Sequence, residues 1–146
     1  MAYSQSSERE IENLIATYAF LVDDGEFDKL GVLLDRCDLT LGSGPTIRGN
    51  EAVAKLARDA LQVFEDGTPR TRHVTSNMII EVDENAGTAR ARAYYTVFQA
   101  VHDFPLQPIA CGRYRDRFER IDGKWHFAER FVQTDLAGDV SHHRRG

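Results

Sequence analysis

His73 stands in the run Thr71-Arg72-His73-Val74-Thr75-Ser76-Asn77. Imidazole exchanges protons near neutral pH, and the flanking hydroxyls and amide can hold its tautomer. A lone histidine at the head of a half-buried strand is otherwise a satisfied structural residue, so its role depends on partners. Asp23 is a candidate partner, because a carboxylate orients the ring and stabilises the imidazolium formed when histidine takes a proton. Asp23 also breaks two local preferences. It prolongs an apolar helical face made by Ala16, Ala19 and Phe20. It also lies in the last turn, where the helix dipole disfavours negative charge by roughly 0.3–1 kcal/mol. Such conflicts concentrate at functional sites. The plain alternative is that Asp23 hydrates the helix end beside Asp24.

Tyr18 precedes Asp23 by five residues, about 140° away around an ideal helix. It reads either as a core aromatic with a satisfied hydroxyl or as a proton donor. On the last strand, simple alternation puts Arg130 with His126, Ala128 and Val132, and Trp125, Phe127, Glu129 and Phe131 on the opposite face. A guanidinium there reads either as the stabiliser of a developing anion or as half of a structural ion pair.

Other chemistries lack their patterns. The chain has no G-x-G-x-x-G, Walker loop, G-x-S-x-G or H-E-x-x-H. Its five histidines, at 73, 102, 126, 142 and 143, show no metal-ligand spacing, so no bound metal and no organic cofactor are expected.

The elements that must position these residues follow from periodicity. Ser7 and Glu10 form a capping box that predicts a helix start, and Gly25 predicts its stop. Ile11, Leu14, Ile15, Tyr18, Leu21 and Val22 recur at helical spacing between them. A short helix over 27–34, a strand over 38–41, a turn over 42–45 and a third helix over 50–64 are expected next. The second half has four runs of strand composition, over 71–83, 87–101, 109–121 and 124–135. Residues 83–87 and the Asp122-Gly123 pair read as hairpin turns. Helices followed by an antiparallel meander predict an α+β domain with helices covering one sheet face.

Composition bounds the rest. The 146 residues suit one domain, 1–146, long enough to bury a core unaided. A net charge of −5 argues against a nucleic-acid partner. Arg113, Arg115 and Arg117 alternate with Gly112, Tyr114 and Asp116, as a solvated outer face would. No stretch approaches the roughly 20 apolar residues of a membrane span, and the N-terminus lacks secretory features, which predicts a cytoplasmic protein without membrane partners. Cys37 and Cys111, with neither CxxC spacing nor a secreted context, read as buried or partly buried thiols. Residues 1–6 and 140–146 are expected to be flexible tails, with His142 and His143 disordered rather than ligands.

Four segments, taken in order, resemble the SnoaL-like branch of the nuclear-transport-factor-2-like superfamily over nearly the whole chain. They are Tyr18-Ala19-Phe20-Leu21-Val22-Asp23, Thr71-Arg72-His73-Val74-Thr75-Ser76-Asn77, Gly112-Arg113-Tyr114-Arg115-Asp116-Arg117-Phe118 and Asp122-Gly123-Lys124-Trp125-His126-Phe127-Ala128-Glu129-Arg130. The resemblance implies a cystatin-like α+β barrel: a cone in which a strongly curved, mainly antiparallel sheet wraps N-terminal helices around a deep apolar pocket. It also implies that Asp23, His73 and Arg130 share that cavity. Within the superfamily the chain is similar to lyases such as bile-acid dehydratase and hexachlorocyclohexane dehydrochlorinase. In these an Asp-His dyad abstracts a proton from a carbon beside the one that carries the leaving group. The dehydrochlorinase has a Lys where this chain has Tyr18, and a phenol suits a departing hydroxyl or a carbonyl better. Scytalone dehydratase pairs adjacent Tyr and Asp on its first helix, whereas Ala19 follows Tyr18 here.

The resemblance therefore implies a cofactor-independent lyase or isomerase acting on an apolar, cyclic small molecule. His73 would be the base, Asp23 its orienting partner, Tyr18 a proton or hydrogen-bond donor and Arg130 an anion stabiliser. Asn77, Phe20, Tyr95 and Phe98 are the candidate substrate-binding residues. A homo-oligomer, dimer or trimer, is expected, since an open curved sheet has an outer face to cover. The alternative is a non-catalytic binding or structural subunit, like the small subunits of ring-hydroxylating dioxygenases. Phe20, Phe98 or Tyr95 filling the cavity would favour that alternative.

Overall fold

Ser6, rather than Ser7, caps the first helix: its hydroxyl accepts from the Arg9 backbone N–H at 3.2 Å. The three-residue geometry is the same one expected of Ser7, so Ser6 satisfies the helix end and frees the other two polar groups. Trp125 takes both. Its indole N–H donates to the Ser7 hydroxyl and its backbone N–H to the Glu10 carboxylate, each at 3.1 Å. This pins helix α1 (Ser7–Asp23) to the start of the last strand.

The computed structural model describes residues 5–145. After α1 come α2 (Phe27–Leu33), β1 (Asp38–Leu41), β2 (Thr46–Arg48), α3 (Asn50–Ala60), β3 (Thr71–Asp83), β4 (Thr88–Val101), β5 (Phe104–Ile121) and β6 (Lys124–Ala137). The six strands form one sheet in the order β2-β1-β6-β5-β4-β3. Only β1 and β6 run parallel; every other neighbouring pair is antiparallel. The result is the expected α+β fold, three helices against a curved, mostly antiparallel sheet, but the sheet stays open rather than closing into a barrel. Ile11, Ile15, Tyr18 and Val22 of α1 meet Trp125, Phe127, Phe118 and Tyr114 of the sheet in the buried core. Among the described residues no helix is long and apolar enough to cross a membrane.

Gly25 ends α1 as expected. Its φ is +70°, its N–H donates to the Val22 carbonyl, and the Glu26 N–H reaches the Leu21 carbonyl at 2.9 Å. A Cβ there would lie 2.2 Å from the Gly67 carbonyl oxygen, so the turn that presents Asp23 accepts only glycine. The Asp122-Gly123 turn is also as expected, with φ of +52° and +79°. β2 and the early start of β5 were not expected. His102-Asp103 returns the chain in a tight turn, Asp103 at φ +60°, so that Phe104 already pairs with Val101.

α3 ends at Ala60, four residues short of its expected end, because Leu61 leaves the helix and bridges to Arg144. The expected flexible tail is docked there. Gln62 donates its side-chain amide to the carbonyls of Ser141 (2.7 Å) and Arg144 (2.6 Å), and its backbone N–H to the His143 carbonyl (2.9 Å). The buried Gln99 amide donates to the His142 carbonyl and to Pro69, both at 3.0 Å. Residues 5 and 6 likewise belong to the helix entry; the remaining expected tail residues, 1–4 and 146, lie outside the described residues.

Two irregularities decide which side chains face inward. In β6, Ala128 is an extra residue: Arg117 pairs with Glu129 and Phe118 with Phe127. This bulge shifts the alternation by one, so Arg130 joins Trp125 and Phe127 on the buried face. The expected grouping of Arg130 with His126 and Ala128 is thereby corrected. In β3, the register breaks between Ser76 and Ile79, and Asn77 sits at φ +54° in the break.

Candidate active site

Asp23 is buried at the C-terminal end of α1, where α1 packs on β3. Three donors meet its carboxylate. The Thr71 hydroxyl donates to Oδ1 at 2.8 Å, the His73 backbone N–H donates to Oδ2 at 2.8 Å, and His73 Nδ1 lies 2.6 Å from Oδ1. These bonds offset the unfavourable end of the helix dipole and the loss of water. The carboxylate accepts the Nδ1 proton, which leaves Nε2 as the ring nitrogen with a lone pair. Such a nitrogen can accept a proton, with its orientation fixed by the carboxylate behind it.

His73 lines a cavity of about 590 Å³ between the helices and the inner sheet face. Its walls are largely apolar, from Val22, Leu30, Leu39, Val53, Leu61, Val97 and Val132, with Tyr18, Tyr95 and Tyr114 forming an aromatic side. Tyr95 stacks on Tyr114 with ring centroids 4.7 Å apart, and Tyr114 meets the edge of Tyr18 at 5.9 Å. The Tyr95 and Thr134 hydroxyls are 2.8 Å apart. Burial pushes all three phenols upward; for Tyr18 the Arg130 guanidinium, and for Tyr95 the Thr134 bond, pull partly back. Neutral phenols can donate hydrogen bonds at physiological pH.

Arg130 does not line this cavity. It is fully buried behind it, bonded through Nε and Nη2 to the two Asp116 oxygens at 2.8 and 2.9 Å. Its guanidinium carbon lies 3.7 Å from the Tyr114 ring centroid and 4.2 Å from that of Tyr18. Burial alone would lower the Arg130 pKa, but the Asp116 carboxylate reverses this and raises it. The expectation that Arg130 shares the cavity is therefore corrected: its charge is neutralised by Asp116 and covered by two tyrosine rings.

The other expected residues divide. Tyr18 and Tyr95 are on the cavity wall. Phe98 is on the opposite face of β4 from Tyr95 and Val97, as period-2 alternation requires. Asn77 is exposed in the β3 bulge, a left-handed position that asparagine tolerates well. Phe20 is 67% exposed and borders a separate groove of about 320 Å³ between α1 and β3, together with Ala16, Ala19 and Met78. The apolar stripe read from α1 thus faces this groove, and Asp23 lines the groove rather than the cavity, which corrects the expectation that it shares the cavity; His73 lies between groove and cavity, lining both.

Sequence reasoning missed His143, Asp116, Tyr114, Thr71 and Thr134. Asp116 had a readable signal, since it alternates with Tyr114 and Phe118 on an otherwise apolar face. Thr71 shares the face of His73 by the same rule. His143 had none. It is 9% exposed and lines the cavity, its ring centroid 6.3 Å from that of His73. Among the described residues no cluster of three or more His, Cys, Asp or Glu could hold a metal ion.

No curated protein matches the chain. Among solved structures, an NTF2-like protein with a cystatin-like fold from Novosphingobium aromaticivorans is 23% identical, with 92% of this chain and 85% of that one covered and a TM-score of 0.73. A candidate scytalone dehydratase from the same organism is 21% identical, over 90% of this chain and 86% of that one, with a TM-score of 0.70. The β subunit of a candidate aromatic-ring-hydroxylating dioxygenase, again from N. aromaticivorans, is 20% identical over 90% and 91%, also at 0.70. At these identities the likeness is one of fold. The sequence match is more specific, for residues 4–131 carry the pattern of the SnoaL-like domain, and the chain belongs to that family.

Proposed function

We propose that this protein is a cofactor-independent lyase or isomerase that removes a proton from carbon in an apolar, cyclic small molecule. The observation that carries the reading is the 2.6 Å contact by which Asp23, on the groove side, holds His73, which lines an open, largely apolar cavity. His73 Nε2 takes the proton, and Asp23 stabilises the imidazolium that results. Tyr18 donates a hydrogen bond to the oxygen that leaves or gathers charge. Arg130 acts behind the wall, its charge biasing the Tyr18 and Tyr114 phenols rather than touching the ligand.

A filled cavity would have favoured a binding or structural subunit. Phe20 and Phe98 lie outside it, and Tyr95 forms its wall while about 590 Å³ remains open. The test has two stages. A thermal-shift screen of cyclic alcohols and ketones finds ligands that bind the folded state, and mass spectrometry then follows loss of water or NMR a moved double bond. His73→Ala and Asp23→Asn should retain binding and lose turnover. Undiminished turnover in either variant would sink the proposal.

A further inference from the structure

Among the described residues, His143 is an imidazole without a hydrogen-bond partner. Its Nδ1 is buried and unbonded, and neither ring nitrogen hydrogen-bonds another described residue. The rest of the segment that carries it is well tied, through Gln62 and Gln99 to backbone carbonyls, through the Arg145 N–H to Ala60, and through the Arg145 side chain to Leu61. The tail is therefore held by its backbone and by Arg145, and among the described residues the His143 ring contributes no bond to that docking. Burying a polar ring with nothing to pair it is unfavourable. Residues so placed in a native structure need an explanation, and the cavity offers one.

His143 faces the cavity with His73, the ring centroids 6.3 Å apart and the planes at 59°. Burial lowers its pKa to about 4, with His73 and Arg144 adding to the effect and Asp23 opposing it. At neutral pH it is an uncharged imidazole offering one donor and one acceptor. His73 differs in kind, because Asp23 already occupies its Nδ1. One ring is committed to the protein, and the other is open to a ligand.

We propose that His143 is a ligand-binding residue that hydrogen-bonds an oxygen substituent, hydroxyl or carbonyl, of the molecule in the cavity. A hydrogen bond spans about 3 Å, so at this separation both rings reach one small fragment of the ligand. The ligand class is then an apolar ring system in which the oxygen sits on the carbon beside the acidic C–H, or one further. The identification of the acidic carbon rests on the proton-abstraction reading above; the oxygen contact does not.

The probes are 2-tetralone and tetralin, which share a bicyclic frame and differ in the ketone oxygen. Calorimetric titration gives the ratio of the two dissociation constants for each variant. His143→Leu should shift that ratio about tenfold against the ketone, and His143→Gln, which can still hydrogen-bond, should restore most of it. Without ligand, His143→Leu should melt at a higher temperature than the wild type, since an unpaired polar ring is replaced by an apolar side chain. An unchanged ratio in His143→Leu, a lost preference in His143→Gln, or failure of the wild type to bind 2-tetralone would each overturn the proposal. Deuterium incorporation beside the carbonyl, followed by NMR in D2O, separates the two readings. Absence of exchange with the ratio shift intact would overturn the base assignment and leave the His143 contact standing.

Discussion

Asp23 holds His73 at two points, the backbone N–H at 2.8 Å and ring Nδ1 at 2.6 Å. One carboxylate thus fixes both the strand and the imidazole it carries. Thr71, two residues earlier on the same strand face, adds a third bond at 2.8 Å. The ring can neither flip nor exchange tautomers without breaking this set, and that is the pre-organisation a general base requires.

Asp23→Asn tests that arrangement. An amide offers one oxygen to three donors and sets its own NH2 against the others. Stability should fall by about 1–3 kcal/mol, read by urea unfolding. Proton abstraction, measured as deuterium exchange into a bound ketone, should fall by about 10²–10⁴. A variant as active as the wild type would remove the dyad from the mechanism.

Arg130 and Asp116 form a buried pair whose loss should be asymmetric. Arg130→Met leaves the Asp116 carboxylate buried and alone, and should cost about 3–5 kcal/mol. The double variant Arg130→Met, Asp116→Leu removes both charges and should recover much of that loss. Denaturant titration of the two single variants and the double gives the coupling. Additive effects would mean that the pair is not the unit that matters.

His143 gives the fold a pH dependence whose sign is fixed. Its pKa is lowered to about 4 in the folded chain, by burial first, and is near 6.5 when unfolded. The unfolded chain binds more protons between those values, so stability climbs with pH across the window and is level above it. The contribution is ~3 kcal/mol at most. Urea midpoints between pH 4 and 7 should rise less steeply for His143→Leu than for the wild type. Parallel curves would assign the dependence to other groups.

The two thiols should react differently. Burial pushes Cys37 up to about 12, whereas Cys111 is partly exposed. Only a thiolate alkylates. Native protein treated with iodoacetamide at pH 8 should carry one adduct, on Cys111, and unfolded protein two. Mass spectrometry of tryptic fragments distinguishes them, and rapid native labelling of Cys37 would mean that α2 and β1 open more readily than their packing implies.

Much of this molecule is written locally. Helical spacing marked α1, glycine marked its stop, and β-branched and aromatic runs marked the four long strands, because each feature depends on residues within one or two turns. Asp23 and His73 stood out for the same reason: each is a polar group where local pattern calls for something else. Their contact was expected only through the family resemblance.

What the tertiary structure alone decided lies where one strand meets another chain segment. Simple alternation misplaced Arg130 because the bulge at Ala128 arises from its register with β5, and one extra residue reverses every later side chain. His143 was hidden for a related reason. Its segment docks through backbone carbonyls that accept from the Gln62 and Gln99 amides, and backbone groups are the same in every residue, so no side-chain pattern announces them. The sequence by itself marked the three helices and the four long strands and singled out Asp23 and His73; packing determined that the two meet, that His73 lines the cavity, and what stands opposite it.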